Sequence, residues 1–251
     1  EGFENIFPCV YTVGHLKGTE LRDTDGTFHE VDRGFEFYAP QVFARRPSEP
    51  GPLLLTAWAG NASEDDQPSI QSGQWVHALS LPRALSLKNG RLIQRPATDL
   101  PHDAGQPALV GTPLDSGQYE PAELHGHRSW QLRLEAEPDR TSGAWGVRIG
   151  TDRSYVDIIL DGGALRVDRS TSRYTQHGAE RTVTLPEGCA SVLEIVHDRS
   201  LTEVFVGDGA LAFTMRSFVD PDSSGARLLA GGVLTLKSGR VRTFTPVPEA
   251  L

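Results

Sequence analysis

The amino-acid sequence predicts an all-β protein, on three observations. No window sustains an apolar i, i+3, i+4, i+7 pattern, so helical signals are nearly absent. Short alternating or apolar runs recur instead, at residues 9–14, 53–58, 76–81, 130–134, 146–149, 156–160, 192–196, 203–206 and 211–216. Between them stand Asp25-Gly26, Asn89-Gly90, Asp161-Gly162 and Asp208-Gly209, dipeptides that accept the positive φ of tight turns. Such spacing suits two packed layers or a set of blades.

Taken in order, residues 1–101 interrupt their strands with long irregular segments at 44–52 and 61–72. Loops of that kind are where a domain builds a site. Phe3, Ile6, Phe7 and Val10 give the first strand apolar faces that need neighbours. An open sheet edge there would invite aggregation, so we expect strands outside this chain, another chain or self-association to cover it. The stretch PHDAGQP at 101–107 has two Pro, one Gly and no apolar period, and 102–107 is read as a linker. Residues 108–251 then carry strands at regular intervals with short turns, as a β-sandwich does.

Composition narrows the function. The net charge of −9 is spread along the 251 residues with no basic run, which argues against nucleic acid as a partner. No apolar stretch approaches the roughly 20 residues of a membrane span. The chain begins with Glu1 rather than Met, so the lack of a signal peptide says little about export. Cys9 and Cys189 are read as free and half-buried, which suits a reducing, cytoplasmic setting; a single long-range disulfide is the alternative.

The chemistry-bearing residues are few. There is no nucleophile elbow, phosphate-cradling loop or dinucleotide fingerprint. His125 and His127 share a strand face but lack a third ligand at a usable spacing, so neither a metal nor a cofactor is expected. Asp23 and Asp25 flank a turn, and Glu64, Asp65 and Asp66 form an acidic loop; both groups are read as solvated. Trp75 and His77 are read as packing residues, and Trp130, Trp145, Tyr155 and Tyr174 as core aromatics. Tyr38 and Trp58 are the better candidates for ligand contact, because an aromatic face stacks on a sugar ring and a phenol adds a hydrogen bond.

Several stretches together resemble one family. They are EGFENIFPCVYTVG at 1–14, GFEFYAPQ at 34–41, LLLTAWAGN at 53–61, GQWVHALSLPRALSLKNGRLIQRP at 73–96, LRVDRSTS at 165–172 and LEIVHDRSLTEVFVGDG at 193–209. In that order, over nearly the whole chain, they resemble glycoside hydrolase family 32. The resemblance implies the C-terminal part of a five-bladed β-propeller followed by a β-sandwich. It implies hydrolysis, with retention, of terminal β-D-fructofuranosyl linkages in sucrose, its phosphate or fructans. It places Tyr38 and Trp58 in the pocket, Asn5 near its leaving-group side, and a fructose-containing saccharide as ligand.

Retaining glycosidases use a nucleophilic and an acid/base carboxylate about 5–5.5 Å apart. The family carries these on three motifs, Trp-Met-Asn-Asp-Pro-Asn-Gly-like, Arg-Asp-Pro and Glu-Cys, and none is present. The nearest strings, Arg22-Asp23-Thr24, Asp220-Pro221 and Glu187-Gly188-Cys189, stand in the wrong context. By the family's order all three motifs would precede Glu1. No catalytic residue is therefore assigned, and the chain alone is expected to be inactive, with a complementary N-terminal propeller chain as one possible partner. Two alternatives stay open: a non-catalytic carbohydrate-binding or interaction module, and a remnant with no independent role.

Overall fold

The computed structural model describes residues 3–5, 7–43, 50–62, 64, 66–73, 75–97, 114–137, 141–220 and 225–244. The linker expected at 102–107 lies outside them. Within them the fold is β throughout, apart from the six-residue helix α1 (Pro68–Gly73) and one 3-10 turn at Ala122–Leu124.

The N-terminal part opens on two small antiparallel ladders. β1 (Val10–Tyr11) and β4 (His29–Glu30) pair, as do β2 (His15–Lys17) and β3 (Glu20–Arg22). Asp25-Gly26 is not a hairpin turn here: Asp25 Oδ1 accepts Thr12 Oγ1 (2.9 Å) and Oδ2 meets His29 Nε2 (2.8 Å), pinning the loop. These bonds, from His29 first and then Thr12, pull the Asp25 carboxyl down to about 2.

Next comes a blade-like antiparallel sheet. Its strands are β5 (Tyr38–Val42), β6 (Leu53–Ala59), β7 (Ala78–Leu79), β8 (Arg83–Lys88) and β9 (Arg91–Pro96), in the order β5-β6-β8-β9, with β7 preceding β8 along the same side of β6. β6 alternates as a half-buried strand should, burying Leu55, Ala57 and Ala59. Asn89 and Gly90 both take positive φ (+50° and +69°) between β8 and β9, the two-residue turn that the dipeptide predicts. The core of this part is small: Val31, Phe37, Leu55 and Ala57. Phe7, Val10, Val42, Phe43, Leu53 and Leu79 stand exposed.

The second part is a sandwich of strands β10 (Gly117–Tyr119), β11 (Ser129–Ala136), β12 (Trp145–Gly150), β13 (Tyr155–Asp161), β14 (Ala164–Asp168), β15 (Glu180–Thr184), β16 (Val192–Asp198), β17 (Leu201–Val206), β18 (Leu211–Arg216), β19 (Ala226–Ala230) and β20 (Leu236–Thr243). One sheet runs β10-β19-β12-β13-β14-β15 and the other β18-β17-β16-β11-β20. Their inner faces share one core that includes Trp130, Leu132, Ile158, Val204 and Phe213. Trp145 and Tyr174 are buried too, while Tyr155 is half-buried beneath the Arg148 guanidinium, 4.0 Å from its ring centroid. The turn expected at Asp161-Gly162 falls one residue later, on Gly162-Gly163, because Asp161 pairs with Ala164.

The two parts are joined along the edge strand β18, all six of whose residues are buried. Residues 32–37 lie beside it: Arg33 N donates to Ala212 O (2.9 Å) and Glu36 N to Thr214 O (3.3 Å). An exposed edge of the sandwich is thereby covered by the N-terminal part. A Cβ on Gly34 would sit 1.9 Å from Thr214 O, so only glycine permits this approach. Phe35 enters the sandwich core edge-on to Phe213, whereas Phe37 turns back into the N-terminal core.

Two buried arginines complete the junction. Arg83 Nη1 donates to Asp32 Oδ2 (2.9 Å) and Gln94 Oε1 (3.1 Å), its Nε to Glu203 Oε2 (3.0 Å), and its Nη2 to Glu203 Oε2 (2.6 Å) and Thr214 Oγ1. Phe37 and Phe205 stack on its guanidinium, 4.6 and 5.2 Å from its carbon. Burial works against this charge, but Glu203 and Asp32 outweigh it and raise the Arg83 pKa above its ordinary value. Arg169 grips Glu36 bidentately at 2.9 and 2.7 Å, and donates to the carbonyls of Gln176, Gly178 and Arg216.

Candidate functional site

Tyr38 on β5 and Trp58 on β6 are direct cross-strand partners, with ring centroids 5.9 Å apart. Their pairing precedes a register shift between Tyr38 and Gln41, where Ala39 takes φ +45°. A bulge of this kind re-aims the side chain beside it, and a non-glycine residue held at positive φ stores backbone strain. Phe7 also packs on Tyr38, at 5.3 Å, and His77 meets Trp58 edge-on at 4.5 Å. The result is a continuous run of four rings, Phe7–Tyr38–Trp58–His77.

Gly60 keeps the end of this run open. A Cβ there would lie 2.8 Å from His77 Nδ1 and 3.0 Å from Trp58 Nε1. Both nitrogens are buried and have no hydrogen-bond partner among the described residues. His77, read from sequence as a packing residue, does pack, and the ring it packs on is Trp58. Trp75 instead leaves the run: it lies over the Arg216 guanidinium at 4.9 Å, with Phe218 at the same distance. Burial lowers the Arg216 pKa to about 10.

Asn5 has a polar partner from the sandwich. Its Oδ1 accepts from Arg181 Nη1 (2.9 Å), which also donates to the carbonyls of Arg33 (3.0 Å) and Gly34 (2.7 Å). Arg181 stands on β15, so this bond ties Asn5 to the junction with the sandwich. Burial pushes the Arg181 pKa down, opposed by Glu4 and Glu30.

One sequence reading needs correction. Glu64 was expected in a solvated acidic loop, and it is 5% exposed. Its carboxylate accepts from Asn61 N (3.3 Å), Asn61 Nδ2 (3.4 Å) and Gln67 Nε2 (2.8 Å), and His177 Nε2 stands 2.6 Å away. The loop after β6 is packed against the sandwich, and that contact buries the charge. Asp66 is exposed, as expected, and Asp65 lies outside the described residues.

The buried carboxylates Asp32, Glu36, Glu64 and Glu203 are all engaged by the donors named above. The arrangement therefore offers an aromatic surface with a phenol and an imidazole, suited to stacking on the apolar face of a sugar. Sequence reasoning missed Asp32, Glu36, Arg83 and Arg169. A weak signal was present: Glu36 lies between two aromatics in GFEFY, and Arg83 opens a strand, positions where burial of a charge demands a partner.

Residues 1–96 match the model described as glycosyl hydrolases family 32 N-terminal domain, and residues 106–243 the model described as glycosyl hydrolases family 32 C terminal. A probable sucrose-6-phosphate hydrolase of Psychromonas ingrahamii is 33% identical over 202 residues, covering 78% of this chain and 34% of that protein. The sucrose-6-phosphate hydrolase of Staphylococcus xylosus is 30% identical over 233 residues, covering 90% of this chain and 46% of that protein. The chain thus spans between a third and a half of the length of these relatives. Among solved structures, an exo-inulinase from Aspergillus awamori superposes with a TM-score of 0.79 at 19% identity, over 95% of this chain and 50% of that one. A sucrose-6-phosphate hydrolase from Lactobacillus gasseri gives 0.71 at 21% identity, over 97% and 49%. These likenesses bear out the expected fold, part of a β-propeller followed by a β-sandwich.

Proposed function

Because the chain belongs to glycosyl hydrolase family 32, matched in both its domains, we propose that it is the C-terminal part of a retaining glycoside hydrolase acting on terminal β-D-fructofuranosyl linkages, in sucrose, sucrose phosphate or a fructan. The observation that carries the reading is the cross-strand pair Tyr38–Trp58, flanked by Phe7 and His77. In it the chain supplies one wall of the pocket: Trp58 stacks on the fructosyl ring and the Tyr38 hydroxyl orients it. The nucleophile and the acid/base come from residues outside these 251, since the three motifs that carry them in the family are absent from the sequence.

Two further observations support this division. The exposed Phe7, Val42 and Phe43 near the outer strand β5 suit packing against more of the propeller, either on a complementary chain or in a second copy. The half-buried thiols of Cys9 and Cys189 are unpaired and raised in pKa by burial, in keeping with a reducing, cytoplasmic setting. The alternative, a sugar-binding module on the sandwich, has less support, because Trp130, Trp145 and Tyr174 are buried.

The test has two arms. Purified alone, the chain releases no fructose from sucrose; detectable release sinks the proposed division of labour. Titration with fructose, followed by tryptophan fluorescence, saturates in the parent and is lost in Trp58→Ala; binding that survives this change overturns the pocket wall.

A further inference from the structure

A cavity of about 370 Å³ lies between β8–β9 and the outer face of the sheet that holds β11, β16 and β20. Four guanidinium groups line it, from Arg95, Arg133, Arg240 and Arg242, against the two carboxylates of Glu194 and Asp208. Both carboxylates are already engaged. Asp208 Oδ1 accepts from Arg133 Nη2 (2.6 Å), and Asp208 O accepts from Arg95 Nε (2.9 Å). Glu194 Oε1 accepts from Gln131 Nε2.

Two cations and one acceptor are left over. Arg240 and Arg242 meet no carboxylate among the described residues, and Arg242 Nε is buried without a partner. Gln131 is nine-tenths buried, and its bond to Glu194 fixes the amide so that Oε1 is the free end; that oxygen is buried and unpartnered. Gln131 and Arg242 are cross-strand partners on β11 and β20, so the free acceptor and the free donor stand side by side. In a chain of net charge −9, a cavity with two excess positive charges is locally reversed in sign.

We propose that this cavity binds a phosphate group, free or as the monoester of a small polyol. A phosphate oxygen takes the guanidinium donors of Arg240 and Arg242. Gln131 Oε1 accepts a hydrogen bond from the same ligand, from P–OH in inorganic phosphate or from a polyol hydroxyl in a monoester. An anion with no proton to donate, such as sulfate, satisfies the arginines but leaves Gln131 Oε1 buried and unpaired. The site shares no lining residue with the ring run of Tyr38 and Trp58, and it does not depend on that reading.

The test is calorimetric titration of the 251-residue chain at pH 7 and fixed ionic strength. Inorganic phosphate binds saturably and more tightly than sulfate, by roughly tenfold for one lost buried hydrogen bond. A hexose 6-phosphate that competes with phosphate, where the unphosphorylated hexose does not, identifies a monoester as ligand; phosphate binding without such competition identifies the free anion. The double change Arg240→Gln with Arg242→Gln weakens phosphate roughly tenfold or more while leaving the melting temperature in place. Gln131→Leu levels phosphate and sulfate. No saturable phosphate binding, or binding that ignores the two arginines, overturns the proposal.

Discussion

Replacing Arg83 by Met tests the junction that positions the candidate site. The side chain is fully buried, and so are the two carboxylates it joins, at 0% exposure for Asp32 and 1% for Glu203. Met fills much of the space and still packs between Phe37 and Phe205, so the apolar loss is small. What remains is two buried carboxylates without their cation. Asp32 keeps Gly34 N and the Thr214 N and hydroxyl, and Glu203 keeps Leu81 N. Removing one partner of a buried pair costs about 3–5 kcal/mol; with two carboxylates orphaned the upper part of that range is expected, about 4–5 kcal/mol. At a urea slope of about 3 kcal/mol per molar, the unfolding midpoint falls by roughly 1.5 M. Far-UV circular dichroism against urea reads it. The triple variant Asp32→Asn, Arg83→Met, Glu203→Gln removes all the charges together and recovers most of the loss, because a matched neutral core costs far less than a broken pair. A loss below about 1 kcal/mol in Arg83→Met, or a triple variant no better than the single one, refutes the reasoning.

Gly34→Ala drives a methyl against the Thr214 carbonyl and is expected to cost about 3 kcal/mol in thermal unfolding. Gly117→Ala is the control, since its Cβ meets nothing closer than Tyr119 Oη at 3.7 Å. His197 gives a pH dependence: burial lowers its pKa from 6.5 to about 4, so the unfolded chain binds the proton first and stability falls as pH drops through that interval. The displacement corresponds to roughly 3 kcal/mol, fully present above pH 6.5 and lost by about pH 4. His197→Gln flattens that acid limb in urea titrations at stepped pH; an unchanged limb assigns the loss to other groups.

The β architecture was legible because its signals are local. Alternation marks β6, and Asn89-Gly90 marks the turn between β8 and β9, within a few residues. Where distant contacts decide, the same reasoning fails. Glu64 sits in an acidic, loop-like string, and its burial comes from His177 and the sandwich. β18 has no exposed face, because the N-terminal part covers Thr214 and Arg216, on the side that alternation would leave wet. Arg83 and Glu203 are 120 residues apart, and neither carries a local mark of the other.

The segment from Asp32 to Tyr38 links these failures to the site. Consecutive side chains are taken by different parts of the molecule. Asp32 meets Arg83 and Thr214, Phe35 enters the sandwich core, Glu36 meets Arg169, Phe37 enters the N-terminal core, and Tyr38 joins the ring run. Only one residue separates the Glu36–Arg169 pair from Tyr38. The position of Tyr38 is therefore set from the sandwich as much as from its own sheet, and the strained φ of Ala39 follows directly after it. A binding wall must hold its geometry to within a fraction of an ångström to orient a ligand, since a displacement of about 1 Å costs on the order of 100-fold in a positioned reaction. A small blade whose own core is four buried side chains supplies little rigidity by itself. The buried arginines supply it by fixing the strand entrance to a larger, well-packed core, which makes the sandwich part of the scaffold of the proposed wall although it contributes none of the four rings.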